Sequence, residues 1–386
     1  MSDPTIQLLK ELVAIDSVNP SLVPGAAGEG RVADAVAHAL RAAGLDVELQ
    51  DAAPGRPNVV GVLRGKQPGR SLMLCGHIDT VGVAGMEAPF TPVERDGRLY
   101  GRGAQDMKGG VAAMMGAARE LAASGWPAGE LIIAAVVDEE HESVGAEALV
   151  QRWKADAAVV TEPTALEIVV AHKGFAWVDI DVHGRAAHGS RPLEGRDAIL
   201  RMGRVLARLE ALDRELQAGA SHPRLGTASL HASLVSGGRE LSSYPDRCVL
   251  QMERRTLPGE AIDAAGREVE RILEALRNED ASFAAECRPG FARAPYEISA
   301  DHELTRRLQA AVGRTGRPAT ISGASFWADS AVLGGAGIPS ILFGPGGAGL
   351  HSTDEYVMVD EVLACQRALI ELAKDFCAAP AIDPSR

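Results

Sequence analysis

Apolar positions along this chain recur with two different periods, and the place where the period changes divides it. Helical spacing predicts helices at about residues 3–15 and 29–44, each followed by strand-like segments, and another from Val111 to Ala123. Short, mostly apolar runs at Ser71–Cys75, Leu131–Val137, Ala157–Thr161 and Pro339–Phe343 have the length of strands buried on both faces. Helices alternating with such strands predict an α/β fold. After Lys173-Gly174 the pattern changes. Phe175 to Val182 alternates as a strand, an amphipathic helix follows from about Asp197 to Leu216, and strands cover roughly 228–236 and 247–256. A helix at about 260–277 and a strand near 281–288 complete a βαββαβ order, which is ferredoxin-like. Helix and strand alternation resumes from about residue 290. The predicted organisation is a larger unit made of 1–174 and 290–386, with 175–289 inserted into it; a chain of 386 residues exceeds what one core ordinarily serves.

Composition narrows the class of function. At 46% hydrophobic residues the chain can fill two cores, yet no apolar run is long enough to span a bilayer. Met1 to Leu12 is polar and mixed, without a basic start and an apolar block, so the expected compartment is the cytoplasm. Cysteines 75, 248, 287, 365 and 377 are scattered and form no C-x-x-C pair, which argues against a disulfide framework or a thiolate zinc knot. A net charge of −13 disfavours nucleic acid and anionic membranes as partners.

Metal-type side chains follow the predicted strands. His77 comes after Ser71–Cys75 and Gly76, with Asp79 close enough to accept its second ring N–H, the usual support of a metal-bound imidazole. Leu131–Val137 runs into Asp138-Glu139-Glu140. Three adjacent carboxylates are costly to desolvate without a cation, and a divalent metal is the simplest one. Ala157–Thr161 delivers Glu162, then Pro163, and Pro339–Phe343 leads through a glycine-rich stretch to His351. Asp106, before the helix at Val111–Ala123, sits where either an N-cap or a ligand belongs. In an open α/β sheet such ends converge on one crevice. Two histidines and three carboxylates, His77, Asp106, Glu140, Glu162 and His351, suit zinc, cobalt or manganese, and their number exceeds what one catalytic zinc takes; two metals sharing a carboxylate account for it.

Gly76-His-Ile-Asp-Thr80, Gly101 to Gly110, Asp138-Glu-Glu140, Thr161-Glu-Pro-Thr164, Gly184-Arg-Ala-Ala-His188 and His351-Ser-Thr-Asp-Glu-Tyr356 occur in an order and spacing that resemble the M20 metallopeptidases and deacylases. That group includes acetylornithine deacetylase, succinyl-diaminopimelate desuccinylase, aminoacylase and a glutamate carboxypeptidase. The resemblance implies a zinc-exopeptidase-like catalytic domain with a central mixed sheet, and an inserted ferredoxin-like lid and dimerisation domain. It also implies that Asp106 bridges two metals, most simply Zn2+, with His77 and Glu162 on one and Glu140 and His351 on the other. Glu139 is then the general base, a cis peptide follows Asp106, and Asp79 supports His77. His188, on the lid, is implied to donate to the oxyanion in the partner subunit of a homodimer.

Substrate residues follow less directly. Arg255 matches the family arginine that pairs with a substrate carboxylate, and the neighbouring Arg254 must face the other side of its strand. Ser242 stands where many relatives have asparagine, which shortens the reach toward substrate. Gly346 and Gly347 are expected to leave room for an acyl group, or simply to form a tight turn. Gly344-Pro-Gly-Gly-Ala-Gly349 matches G-x-G-x-x-G, but no helix pattern follows, and no G-x-S-x-G elbow is present. The expected activity is hydrolysis of a small N-acyl amino acid, acetylornithine deacetylase-like. A dipeptidase or carboxypeptidase, an N-carbamoyl amino acid hydrolase, and a catalytically silent metal- or ligand-binding relative are the alternatives. Glu139, a carboxylate beside ligands without being one, favours an enzyme over the silent relative.

Overall fold

The computed structural model describes residues 3–380. Contacts divide the chain into two units: one contains the chain up to Val170, Ile298–Gly323 and the segment from Ala328 onward, the other Ala171–Glu297 and Ala324–Trp327.

The first unit is built on a mixed sheet with strand order Asp46–Ala53, Arg56–Arg64, Ala128–Val136, Gln67–His77, Ala157–Val160, Ser340–Leu342, Ile168–His172. Ala128–Val136, Gln67–His77, Ala157–Val160 and Ser340–Leu342 are mutually parallel, and their outer neighbours run antiparallel. These strands are apolar on both faces because both faces are covered: Leu72, Met73, Leu74 and Cys75 are buried in succession, as are Leu131 to Val136. The helix Gly109–Ser124 packs on Pro4–Val13 and Val359–Cys377, while Gly30–Ala42 and Val144–Arg152 pack on the first two strands. Gly30–Ala42 buries Val32, Ala33, Val36, Ala37 and Leu40, one apolar stripe of an amphipathic helix. Gly109–Ser124 carries no charge through its first ten residues and is buried almost all round. At Gly110 an added Cβ would lie 2.0 Å from the Thr161 carbonyl oxygen, so helix and strand touch there through bare backbone. The parallel strands all end on one side, which sends His77, the Asp138–Glu140 turn, Glu162 and the approach to His351 out of the same edge.

Two departures from the sequence pattern matter for the site. Residues 14–29 after the first helix form turns and one isolated bridge from Val18 to Thr80, not a strand; Asn19-Pro20 and Pro24-Gly25 favour turns over a ladder. A further small antiparallel sheet joins Gly347–Ala348, Tyr356–Met358, Arg98–Tyr100 and Val93–Arg95. Strands of two or three residues are too short to carry a readable period.

The second unit has an antiparallel sheet in the order Ser229–Gly237, Arg247–Thr256, Gly174–His183, Ala284–Arg293, with helices Ala198–Ala218 and Ala264–Glu279. This is the expected ferredoxin-like arrangement. Along Gly174–His183, Ala176, Val178, Ile180 and Val182 enter a core with Val205, Leu209, Val269 and Leu273, and the intervening side chains take the opposite face. No helix among the described residues is long and apolar enough to cross a membrane.

Candidate metal centre

His77 closes the strand Gln67–His77, and its Nε2 lies 3.1 Å from Asp106 Oδ1. The other Asp106 oxygen, Oδ2, is 3.3 Å from His351 Nε2, which is also 3.2 Å from Glu140 Oε2. One aspartate therefore addresses two imidazoles from different parts of the chain, one oxygen to each. Ligand atoms of His77, Glu139 and Glu162 lie within 4.8 Å of one another, as do those of His77, Asp106 and Glu140. All of these residues belong to the first unit.

Local backbone explains how Asp106 gets there. Gly103 takes φ +76, and a Cβ on it would meet the Thr80 methyl at 2.6 Å. A tight turn over Ala104–Lys108 follows, with a cis peptide between Asp106 and Met107 as the family resemblance implies. The helix begins only at Gly109, and its N-cap position is Lys108. The capping alternative for Asp106 is thus corrected: its carboxylate is turned to the imidazoles. Lys108 is buried, with Nζ donating to the carbonyls of Leu12 at 3.0 Å and Ile15 at 2.9 Å, and burial pushes it down to about 7.

The Asp138-Glu139-Glu140 triplet is not one cluster. Asp138 takes φ +68, and its carboxylate belongs to neither of the ligand groups that contain Glu139 or Glu140. It pairs with Arg56 at 2.8 Å and accepts from Asn19 Nδ2 at 3.1 Å and from the amides of Glu142 and Val144 at 3.3 and 3.4 Å. The expectation that a metal serves all three carboxylates is corrected here, because Arg56 serves the first. Asp79 accepts from Asn19 Nδ2 at 2.7 Å and from the Glu139 and Glu140 amides at 3.2 Å each. Its backbone carbonyl is 3.1 Å from His77 Nδ1 and its carboxylate 3.5 Å, so Asp79 supports His77 chiefly through the main chain.

The electrostatics of this cluster are those of acids short of a cation. Burial, and then the neighbouring Glu162, push Glu139 well above the carboxylate range; burial does the same to Glu162. Glu140 is pushed up to about 7 by burial and the Asp106 charge. Asp106 is held low although burial opposes it, because His351 and His77 both hydrogen-bond to it. Contacts with Asp106 and Glu140 raise His351 to about 10. Glu140 Oε1 and Glu162 Oε1 are buried without a hydrogen-bond partner, an arrangement that costs about 1–3 kcal/mol or more per group unless something positive sits against it. The donor set fits divalent cations.

Comparison with known proteins agrees with this geometry. Residues 73–375 match the model of peptidase family M20/M25/M40. The chain belongs to this family. It is 32% identical to an acetylornithine deacetylase of Myxococcus xanthus, over 96% of each chain. With an N-formyl-4-amino-5-aminomethyl-2-methylpyrimidine deformylase of Bacillus subtilis it shares 28% identity, over 97% of this chain and 94% of that one. A tripeptidase from Staphylococcus aureus has the same fold, with a TM-score of 0.83 at 22% identity over 96% and 97% of the two chains. As an M20 member the chain is a metal-dependent hydrolase of amide or peptide bonds.

Other residues singled out from the sequence lie elsewhere in this M20 chain. In the second unit His188 is exposed; its Nδ1 accepts from the Ser190 amide at 3.2 Å, which leaves Nε2 to carry the proton in the neutral ring. Ser242 is exposed and its carbonyl accepts from Gly189 at 2.7 Å. Arg254 and Arg255 take opposite faces, as strand alternation requires. Arg254 is fully buried on Glu260 and Glu268, whereas Arg255 pairs with Glu253 at 2.6 Å and lies over the Phe175 ring. Gly346 and Gly347 do not leave open room: a Cβ on Gly346 would meet Glu361 Oε2 at 2.8 Å, and one on Gly347 the Tyr356 carbonyl at 2.0 Å. Their lack of side chains serves close packing of the chain on itself, as a tight turn requires. Sequence reasoning missed Asn19, Arg56, Arg102 and Glu355. Arg102 and Glu355 left a trace, as parts of the stretches Gly101–Gly110 and His351–Tyr356.

Proposed function

We propose that this chain is an amidohydrolase that removes the acyl group from a small N-acyl amino acid carrying a free carboxylate, acetylornithine deacetylase-like, with two divalent metal ions, most simply Zn2+. The observation that carries this reading is the position of Asp106 between His77 and His351, with Glu140 and Glu162 completing a donor set on either side. Identity of 32% over nearly the whole chain with an acetylornithine deacetylase supports the substrate class.

His77, Asp106 and Glu162 would hold one cation, and Asp106, Glu140 and His351 the other. Such cations supply Lewis acidity, lowering the pKa of water and polarising the scissile carbonyl. Glu139 is the proton carrier: its amide is fixed by Asp79, and its carboxylate takes the proton of the attacking water and passes it to the departing nitrogen. Arg255 meets the substrate carboxylate in this reading, with Ser242 on the same unit contributing a hydroxyl. A homodimer through the ferredoxin-like unit goes with it, and His188 donates from Nε2 to the oxyanion. The strand Ser229–Gly237 lies at a sheet edge with Leu234 and Val235 exposed, which suits pairing with a second copy.

The test is a panel of N-acetyl, N-formyl, N-succinyl and N-carbamoyl amino acids and dipeptides, assayed after chelation and reloading with zinc, cobalt or manganese. Hydrolysis of N-acetyl substrates should lead, and Glu139→Gln should lower kcat by about 100- to 10,000-fold with metal content unchanged. Preference for dipeptides, or a Glu139→Gln variant of undiminished rate, would refute the proposal.

A further inference from the structure

We propose that the buried ion pair between Arg102 and Glu355 is a positioning clasp that fixes the Asp106 segment against the His351 segment and thereby sets the affinity of the site formed by Asp106, Glu140 and His351. The proposal rests on the two-cation reading above.

Glu355 is 1% exposed and Arg102 2% exposed, and neither is a candidate ligand. Arg102 Nη1 donates to Glu355 Oε2 at 2.6 Å. The same carboxylate accepts from three backbone amides: Gly103 at 2.9 Å on Oε2, Gln105 at 2.9 Å and Asp106 at 3.1 Å on Oε1. One of these amides is that of the bridging residue itself. A carboxylate that accepts four donors is held in a single orientation, and it holds the donors in turn. The turn that presents Asp106 is thus gripped from outside the turn.

The other half of the clasp reaches His351. Arg102 Nη2 donates to the Ser352 carbonyl at 2.9 Å, next to His351, whose φ of +58 is uncommon for a residue with a side chain and needs its surroundings to hold it. Glu355 lies four residues beyond His351, and its own carbonyl accepts from Gly101 at 3.2 Å. The pairing of Tyr356 with Tyr100 continues the same seam. Thus two segments about 250 residues apart, each bearing one ligand of the same site, are joined by a charged pair in a dry setting.

Glutamine in place of Glu355 keeps the volume but presents an NH2 group toward N–H donors, so it cannot accept all four bonds. The experiment strips the full-length protein of metal, reloads it with zinc in the presence of a competing chelator, and measures the affinity and number of zinc equivalents together with the melting temperature of the metal-free protein. For Glu355→Gln and Arg102→Met, affinity for at least one of the two zinc equivalents should fall by about 10- to 100-fold, the usual effect of removing a partner that orients ligands. Arg102→Lys keeps the charge but loses the second bond to Ser352, and should fall less. A lower melting temperature with wild-type zinc affinity, measured where the variants are still folded, would overturn the proposal. Should Glu355→Gln fail to fold, wild-type affinity in folded Arg102→Lys would do the same. A wild-type protein that takes up fewer than two equivalents would instead sink the two-cation reading on which the clasp depends.

Discussion

Replacing Arg56 by methionine isolates how much of this M20 site depends on charge balance away from the ligands. The guanidinium sits between two buried acids: Nε donates to Glu29 at 2.8 Å, Nη2 contacts Glu29 and lies 2.8 Å from Asp138, and further bonds reach Ser21 Oγ at 3.0 Å and Asn19 Oδ1 at 3.1 Å. Side-chain exposure is 11% for Arg56, 0% for Glu29 and 2% for Asp138, so solvent offers little to either acid once the cation is gone. Breaking a buried pair by deleting one partner costs about 3–5 kcal/mol. With roughly 2–4 °C of melting temperature per kcal/mol in a unit of this size, Arg56→Met should melt lower by about 6–20 °C. Asp138 holds the turn that carries Glu139 and Glu140, so kcat should fall as well. Calorimetry and urea titration measure the first effect and steady-state kinetics the second. Adding Glu29→Gln to Arg56→Met should return part of the lost stability, because it removes one orphaned charge. A change under about 2 °C in the single variant, or strictly additive losses in the double variant, would refute the charge-balance argument.

Further outcomes follow from other sites. His172 is buried and held down to about 4 by burial, so it is neutral in the folded chain at pH 5 while the unfolded chain, with histidine near 6.5, takes a proton. Stability attached to it is therefore present above pH 6.5 and is lost as pH falls toward 4; between pH 7 and 5 the wild type should lose about 2 kcal/mol more than His172→Asn in urea titrations, and equal losses would contradict this. Gly110→Ala drives a methyl to 2.0 Å from the Thr161 carbonyl, next to Glu162, and should cost about 1–3 kcal/mol in thermal melts. The matched change Gly203→Ala, where nothing lies within 4 Å of the new methyl, should not destabilise. Similar melts for the two alanine variants would disprove the close-contact account.

Much of the first unit was legible because strand ends and candidate ligands coincide. His77 and Glu162 come directly out of apolar runs, and the change of period near residue 174 marked the ferredoxin-like insertion. The partners of those side chains were not legible. Asn19 reaches Asp79 across 60 residues and Asp138 across 119, and no local pattern registers such separations. Glu355 lay in plain view beside His351, yet its four donors belong to a turn some 250 residues earlier. The glycines before His351 were ambiguous for a related reason: whether a missing side chain makes room for a ligand or for the chain itself depends on what stands opposite.

From the order of residues alone came the α/β class, the inserted βαββαβ unit and the set of metal-type side chains, since periodicity and strand-end placement are local properties. Tertiary structure decided which way each side chain turned. A cation from Arg56 engages one carboxylate of the triplet, and strand burial sends Arg254 inward while Arg255 stays partly exposed. Asp106 does not cap the helix, because its two oxygens are turned to two histidines from distant segments. Those choices are settled by desolvation and long-range hydrogen bonding, whose energies depend on distances that exist only after the chain has folded.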